Sequence, residues 1–305
     1  MTVYVLPCGV SILDGLARGR AGTADATAVV ADVVALAGRV HHRTLTATEV
    51  APHWRAELAT ALDDADLADW RPEVSAETST LARRGTIDLA RLLSAGHRVA
   101  VLASDTSRGL AAALLVASRL AGGDLSRLRY AATDEALPAF PPCTVTVVRV
   151  AGLAPDTRDG LIQGAAGLGA ALRAAGTAAT GEELEVHLTG GFKASLLHLL
   201  SMTELLHSAG GTTVTAWYLH DDTDNPDQAR TVQIGLRRFS ARYLQRLGEE
   251  LSNVAAGREP PSWDDFTLRE AAWTHVAGRP TLNGFGAGYL AVLGTTTPDR
   301  SDEGG

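Results

Sequence analysis

Five short, valine-rich runs separated by helical patterns constrain the fold more than any other feature of this sequence. They are TVYVL (2–6), RVAVLAS (98–104), TVTVVRV (144–150), ELEVHL (183–188) and TTVTAWYL (212–219). Such runs are typical of strands that are buried on both faces, and the helices between them are typical of the crossovers of a parallel sheet. The sequence therefore predicts an α/β fold with a Rossmann-like, doubly wound and mostly parallel sheet.

The chain changes character near residue 225, after the polar segment DDTDNPDQ. We predict a Rossmann-like domain over residues 1–225 and a small, mainly helical C-terminal segment over residues 226–305. In that segment, residues 229–256 read as one arginine-bearing amphipathic helix, and residues 263–305 as a helix, an irregular GFGAGYLAVLG stretch and a polar tail. Residues 20–95 read as mostly helical, and the pattern leaves open whether they contain a short strand or form an insertion.

Composition and motifs exclude several classes of function. The formal net charge of −8 gives no overall attraction for nucleic acid or for an anionic membrane. The chain has no GxxxxGK[ST], HExxH or GxSxG motif, and Cys8 and Cys143 have no metal-ligand spacing. We therefore expect two buried thiols and neither a metal nor a cofactor. The N-terminal apolar run is too short for a signal peptide, and no apolar run could span a bilayer, which predicts a cytoplasmic protein.

A second glycine pattern lies in residues 155–177, which read as a helix with a proline at its start. Its glycines at 164, 167 and 169 resemble a dinucleotide-binding fingerprint, but they lie inside the helix rather than at a strand-to-helix turn. Close packing of this helix against another is the preferred interpretation.

Three loops that follow predicted strands carry residues suited to phosphate: PCGVS (7–11), SDTSRG (104–109) and TGG (189–191). The carboxyl ends of parallel strands meet at one edge of the sheet, so the three loops should lie together. Glycine-turn amides, helix N-termini and small hydroxyls all bind phosphate. The candidate residues in these loops are Gly9, Val10, Ser11, Ser104, Thr106, Ser107, Thr189, Gly190 and Gly191.

Lys193 follows the TGG turn, in what reads as the first turn of a helix. A cation there costs about 0.3–1 kcal/mol because the N-terminus of a helix carries partial positive charge. A phosphate bound at the start of the helix would offset that cost. The alternative interpretation is structural: Ser11, Ser104 and Thr106 are ordinary N-caps, and Lys193 extends into water.

The segments CGVSIL, VLASDTSRGLAAA and HLTGGFKA together resemble the CRISPR-associated Rossmann-fold (CARF) proteins, in particular their stand-alone ring nuclease branch. The resemblance covers residues 1–222, and TGGFK after a strand is its most specific element. It implies a homodimer that binds a cyclic oligoadenylate across its twofold axis, with the four-membered ring expected. It implies catalytic roles for Lys193 and Ser11. It also implies ligand contacts from the matching motif residues Asp105, Thr106, Thr189, Gly190, Gly191 and Phe192.

The chemistry that the resemblance implies needs no metal. A ribose 2′-hydroxyl attacks the neighbouring phosphate and leaves a 2′,3′-cyclic phosphate, while Lys193 and the glycine amides stabilise the developing charge. Ser11 would orient the ribose or the phosphate. Val10 stands where a hydroxyl residue is common in the family, which removes one phosphate contact. The three loops contain no histidine, and the sequence identifies no general base.

Three alternatives remain open at the level of sequence. A non-catalytic CARF sensor would act through its C-terminal segment. A ring-activated ribonuclease would use Arg269 and His275, which have the R-x5-H spacing of HEPN ribonucleases. A generic α/β enzyme would act on a nucleotide or a sugar phosphate. The sensor would regulate DNA or another protein, whereas the ring nuclease is expected to have no membrane partner and no stable DNA or RNA partner.

Overall fold

The computed structural model of the chain describes residues 1–18, 26–41, 47–63, 70–84, 89–154, 157–191, 193–220, 229–263 and 268–294. The fold is α/β, with a seven-stranded sheet flanked by helices on both faces. The predicted fold class is therefore confirmed.

The central sheet has the strand order β3-β4-β2-β1-β5-β6-β7. Its strands are β1 (Thr2–Pro7), β2 (Arg98–Ser104), β3 (Leu128–Ala132), β4 (Val145–Val150), β5 (Glu183–His187), β6 (Thr213–His220) and β7 (Arg230–Ile234). Neighbouring strands are parallel except β6 and β7, which are antiparallel. The five valine-rich runs correspond to β1, β2, β4, β5 and β6, so all five predicted strands are confirmed.

Helices cover the two faces of this sheet in two groups. The described helices are α1 (Ser11–Ala17), α2 (Ala26–His41), α3 (Ala47–Ala61), α4 (Ala76–Arg83), α5 (Leu89–Leu92), α6 (Ser107–Leu120), α7 (Arg158–Ala178), α8 (Lys193–Ala209), α9 (Ala241–Ala255) and α10 (Gly284–Leu293). Residues from α1 to α6 share one apolar core with Tyr4 and Leu6 of β1. Residues from α7 to α10 share the other with Val3 and Val5, because successive side chains of a strand point to opposite faces.

The open question about residues 20–95 is answered for the part of that stretch that the structure describes. Between β1 and β2 the described residues form α1 to α5 and a short 3₁₀ turn, Pro72–Val74, without a strand. These helices pack on one face of the sheet through residues such as Trp54, Leu58 and Leu81. The segment is therefore a long helical crossover.

The prediction of one helix over residues 229–256 was wrong at its start. Residues 230–234 form β7, and α9 begins only at Ala241. Val232 and Ile234 are two residues apart, which is the spacing of a strand, and they are half-buried residues of an edge strand. The predicted boundary near residue 225 falls between β6 and β7, which are hydrogen-bonded neighbours in one sheet.

The C-terminal GFGAGYLAVLG stretch was predicted to be irregular, and it is the helix α10. It is preceded by a hairpin of β8 (Trp273–Val276) and β9 (Arg279–Leu282) rather than by the predicted helix. Its glycines allow close packing, since a Cβ at Gly169 of α7 would overlap the backbone of Gly288 in α10. The predicted packing role of the α7 glycines is confirmed for this position.

The two cysteines have different environments. Cys8 is buried at the end of β1, as expected, but Cys143 is exposed. Cys143 has a φ of 62° and precedes β4, so its left-handed backbone places it at a surface turn. The expectation of two buried thiols was wrong for Cys143. Within the described part of the chain, no helix has the length and apolar character needed to cross a bilayer.

Candidate functional site

The three predicted loops follow three neighbouring strands, because β1 lies between β2 and β5. The end of β1 is held in register with β2 by the Cys8 amide, which donates to the Leu102 carbonyl at 2.8 Å. The helices after β1 and β2 pack on one face, whereas those after β4 and β5 pack on the other. The boundary between β1 and β5 is therefore a topological switch point, where open α/β sheets bind ligands.

Glycines bring the loops after β1 and β5 into direct contact. A Cβ at Gly9 would lie 3.1 Å from the amide nitrogen of Gly191. A Cβ at Gly190 would overlap the Pro7 carbonyl oxygen and the carboxylate of Glu77. Gly191 has a φ of 79°, which side-chain-bearing residues rarely adopt. The structure thus brings Gly9, Gly190 and Gly191 together: the close approach excludes a side chain at Gly190, the backbone conformation disfavours one at Gly191, and Gly9 lies in tight contact with Gly191.

Glu77 is the residue of this site that the sequence analysis missed. It lies in the first turn of α4, whose N-cap is Ser75, and its side chain is 1% exposed. Its Oε1 accepts a hydrogen bond from the Gly9 amide at 2.8 Å. Burial raises the pKa of the Glu77 carboxyl above its usual value, and the bonds from Gly9, Ser75 and Ser11 partly offset that effect.

The serine of the first loop, Ser11, bonds to this buried carboxyl. Ser11 is the first residue of α1, and Val10, which is half-buried, occupies the N-cap position without a side-chain cap. The Ser11 hydroxyl donates to Glu77 Oε2 at 3.4 Å and accepts from the Ala76 amide at 3.4 Å. The N-cap interpretation of Ser11 was therefore wrong. Ser11 is exposed, so its oxygen is accessible from solvent.

The hydroxyls of Ser104 and Thr106 in the middle loop contact each other and the start of α6. Ser104 is buried, and its Oγ lies 3.0 Å from the Thr106 Oγ1. Thr106 is the N-cap of α6 and accepts from the Gly109 amide at 3.0 Å. Ser107 is the first residue of α6 and is half-buried. The N-cap interpretation is thus confirmed for Thr106, and the ligand contacts of these three residues stay predictions.

The carboxylate of Asp105 anchors the middle loop to β4. Its two oxygens accept from Arg149 Nη1 at 2.9 Å and from the Gly152 amide at 2.8 Å. Arg149 also reaches Asp134, with 3.0 Å between its Nη2 and Oδ2. A paired carboxylate beside a phosphate site is less repulsive than a free one, because the guanidinium neutralises its charge. Its role as a ligand contact remains a prediction.

The third loop ends in the exposed lysine. Thr189 accepts a hydrogen bond from the Leu219 amide at 2.7 Å, which fixes the loop to β6. Phe192, a predicted ligand contact, lies outside the described residues. Lys193 is exposed and begins α8, as predicted, and no ion pair joins it to a residue that the structure describes. It is also the only lysine of the chain, since every other basic residue among the 27 is an arginine.

A second polar cluster is buried close to the loops after β1 and β5, on the face of the sheet that α4 covers. The Oε2 of Glu185 lies 3.4 Å from His187 Nε2 and 3.6 Å from Arg84 Nε. Arg84 also stacks on the Trp217 ring, 3.7 Å from its centroid. Glu185 and His187 are residues of β5 that point away from the apolar core shared with α8. Glu185 Oε2 and both ring nitrogens of His187 are buried without a hydrogen-bond partner among the described residues, so the contacts of this cluster are ionic and stacking contacts rather than hydrogen bonds.

Comparison with known proteins gives no family assignment. No protein-family model matches the chain. No curated protein matches it either.

Proposed function

We propose that this protein binds a cyclic oligoadenylate, with cyclic tetraadenylate as the expected ring, and cleaves it without a metal to linear products that end in a 2′,3′-cyclic phosphate. The observation that carries the proposal is the position of Lys193. Its side chain is exposed at the start of α8, two residues after the second glycine of the turn and beside the switch point of the sheet. Such an edge binds phosphates through amides and helix N-termini.

The identity of the basic residue supports a chemical role. Outside residue 193 this chain uses arginine for every basic position, so an exposed lysine here is a departure from its own composition. An ammonium is a compact point charge, whereas a guanidinium is a wide planar group. A compact cation fits between the glycine turn and a single phosphate, where it can stabilise charge that develops on the phosphate oxygens.

A homodimer accounts for the symmetry of the ligand. A twofold axis through the ring would bring one Lys193 and one Ser11 from each subunit to opposite phosphates and riboses. Cleavage by the pair would remove the second messenger and so switch off type III CRISPR signalling.

A non-catalytic sensor is the alternative, and consumption of the ring distinguishes the two. The ribonuclease alternative loses its support, because His275 lies on β8 of a hairpin and its Nε2 is 2.7 Å from Glu259. Arg269 lies outside a helix as well, in a bridge with Trp273.

The test is to incubate the protein with cyclic tetraadenylate or cyclic hexaadenylate in EDTA, and to resolve the products by chromatography and mass. Linear products that end in a cyclic phosphate are expected. A bound but intact ring would contradict cleavage and favour the sensor. A protein that binds neither ring would refute the proposal, and nucleoside or sugar phosphates would be the next ligands to assay.

A further inference from the structure

Glu77 is a buried carboxyl in the site for which the mechanism above has no use. Its Oε1 is occupied by the Gly9 amide, and its Oε2 faces the hydroxyl of Ser11. Ser11 is exposed, whereas Glu77 is 1% exposed and has no direct path to a ligand. Among the described residues that bond to this carboxyl, Ser11 is the exposed side chain through which it can exchange a proton with a bound substrate.

The two long hydrogen bonds of Ser11, both at 3.4 Å, favour one direction for its proton. The Ala76 amide occupies one lone pair of Ser11 Oγ, and the O–H points to Glu77 Oε2 when that carboxyl is ionised. The remaining lone pair faces solvent. In this state Ser11 can accept a hydrogen bond from a ligand but cannot donate one, so it suits a ribose hydroxyl better than a phosphate oxygen.

We propose that Glu77 is a positioning residue that receives, through Ser11, the proton of the attacking ribose 2′-hydroxyl. This role rests on the proposed function. The 2′-hydroxyl gives its proton to Ser11 Oγ as Ser11 gives its own to Glu77 Oε2. The O2′–P bond forms, the P–O5′ bond breaks, and O5′ takes a proton from the Lys193 ammonium. Glu77 and Lys193 then recover their initial states by proton exchange with solvent.

The surroundings of Glu77 suit a proton acceptor. The titratable group that faces it from the end of β1 is the Cys8 thiol, whose own pKa is raised by burial and by Glu77. Gly190 approaches it from the loop after β5, and Ser75 bonds to it from the start of α4. Burial raises the pKa of Glu77, which makes the carboxylate a better base than an exposed one.

The test compares wild type with Glu77→Gln, Ser11→Ala and the double variant in single-turnover cleavage of cyclic tetraadenylate in EDTA across a range of pH. Glutamine keeps the bond from Gly9 and the side-chain volume, but it cannot accept a proton. A general base is worth about 10²–10⁴-fold, so we expect a loss of at least about 10²-fold in Glu77→Gln with ring affinity retained. The wild-type cleavage rate should rise as pH rises through the pKa of Glu77, and this rise of the rate with pH should be absent from the variants. The double variant should be no slower than the slower single variant.

Two outcomes would overturn this role separately from the function. Wild-type cleavage with an equal rate and pH profile in Glu77→Gln would leave a ring nuclease in which Glu77 has only a structural role. If Glu77→Gln fails to fold, Ser11→Ala decides, because it removes the relay at an exposed position. Ser11→Ala with the wild-type rate and the same rise of the rate with pH would refute the relay. No cleavage by wild type would refute the proposed function and this role together.

Discussion

Replacement of Gly190 by alanine tests whether the two glycine loops and Glu77 form one packed unit. A Cβ at residue 190 would overlap the Pro7 carbonyl oxygen and the Glu77 carboxylate. Pro7 is the last residue of β1, and Glu77 is buried and bonded to Gly9, so neither neighbour can move without losing contacts.

The magnitude follows from two effects. Overpacking of a well-packed site costs about 1–3 kcal/mol. Displacement of Glu77 from the Gly9 amide leaves a buried donor unsatisfied, which costs about 1–3 kcal/mol. Because one shift of Glu77 would relieve part of the overlap, the two costs do not add fully. We expect a loss of about 2–4 kcal/mol in the free energy of unfolding, or a fall of roughly 3–6 °C in Tm.

The assay is urea unfolding followed by circular dichroism, with Gly235→Ala as the matched control. Gly235 follows β7, and a Cβ there would meet no described atom within 4 Å. The control should unfold at the wild-type urea concentration. If Gly190→Ala also unfolds there, the close contact between the two loops and Glu77 does not exist in solution.

Further predictions concern the two charged residues of the site. Lys193→Ala should abolish ring cleavage while Tm stays the same or rises slightly, because an exposed cation is removed from a helix N-terminus; unchanged turnover would contradict the mechanism. Lys193→Arg should keep most of the ring affinity and lose the rate, since a guanidinium does not release a proton; chromatographic assay of cleavage beside a binding titration separates the two effects. Burial raises the pKa of Glu77, so its contribution to stability is complete below the ordinary pKa of 4.5 and is lost as pH rises through the raised pKa. The unfolding free energy of Glu77→Gln relative to wild type should therefore increase with pH from about 4.5 upward in urea titrations. If the difference between the two proteins does not change with pH, ionisation of Glu77 does not destabilise the folded protein, and the raised pKa is contradicted.

The apolar runs of the sequence predicted five of the seven strands of the central sheet, whereas elements with weak patterns were not predicted. β3 escaped notice because LRYAA is short and contains an arginine and two alanines. β7 was predicted as helix because RTVQI is short and lies shortly before the strongly amphipathic helix α9, although its Val232 and Ile234 have the alternation of a strand. For α10 the glycines lowered the apparent helix propensity, although they are present because the backbone of α7 passes close by.

Part of the candidate site could also be predicted from the sequence, and part could not. Its position at one sheet edge was predicted because the three loops follow runs that read as parallel strands, and the exposure of Lys193 was predicted from its place at the start of a helix. The order of the strands, which places β1 between β2 and β5, came only from the structure. Glu77 could not be found from the sequence. It lies 68 residues from Gly9 and 66 from Ser11, and an acidic residue in the first turn of a helix is ordinary. Only the packing of α4 against the loops shows that this carboxyl points inward.

Glu77 and Lys193 share a property that supports the role proposed for the edge between β1 and β5. In the unliganded protein each has an unfavourable environment: Lys193 is a cation at a helix N-terminus, and Glu77 is a carboxyl removed from water. Neighbouring polar residues have favourable environments: Thr106 caps the N-terminus of α6, and Arg149 pairs with the carboxylate of Asp105. An anion bound at α8 would relieve the cost at Lys193, and a proton would relieve the cost at Glu77. Departures from local consistency concentrate where a protein acts. Under the proposed function one substrate would relieve both: its phosphodiester would offset the charge of Lys193, and the proton of its adjacent hydroxyl would neutralise Glu77.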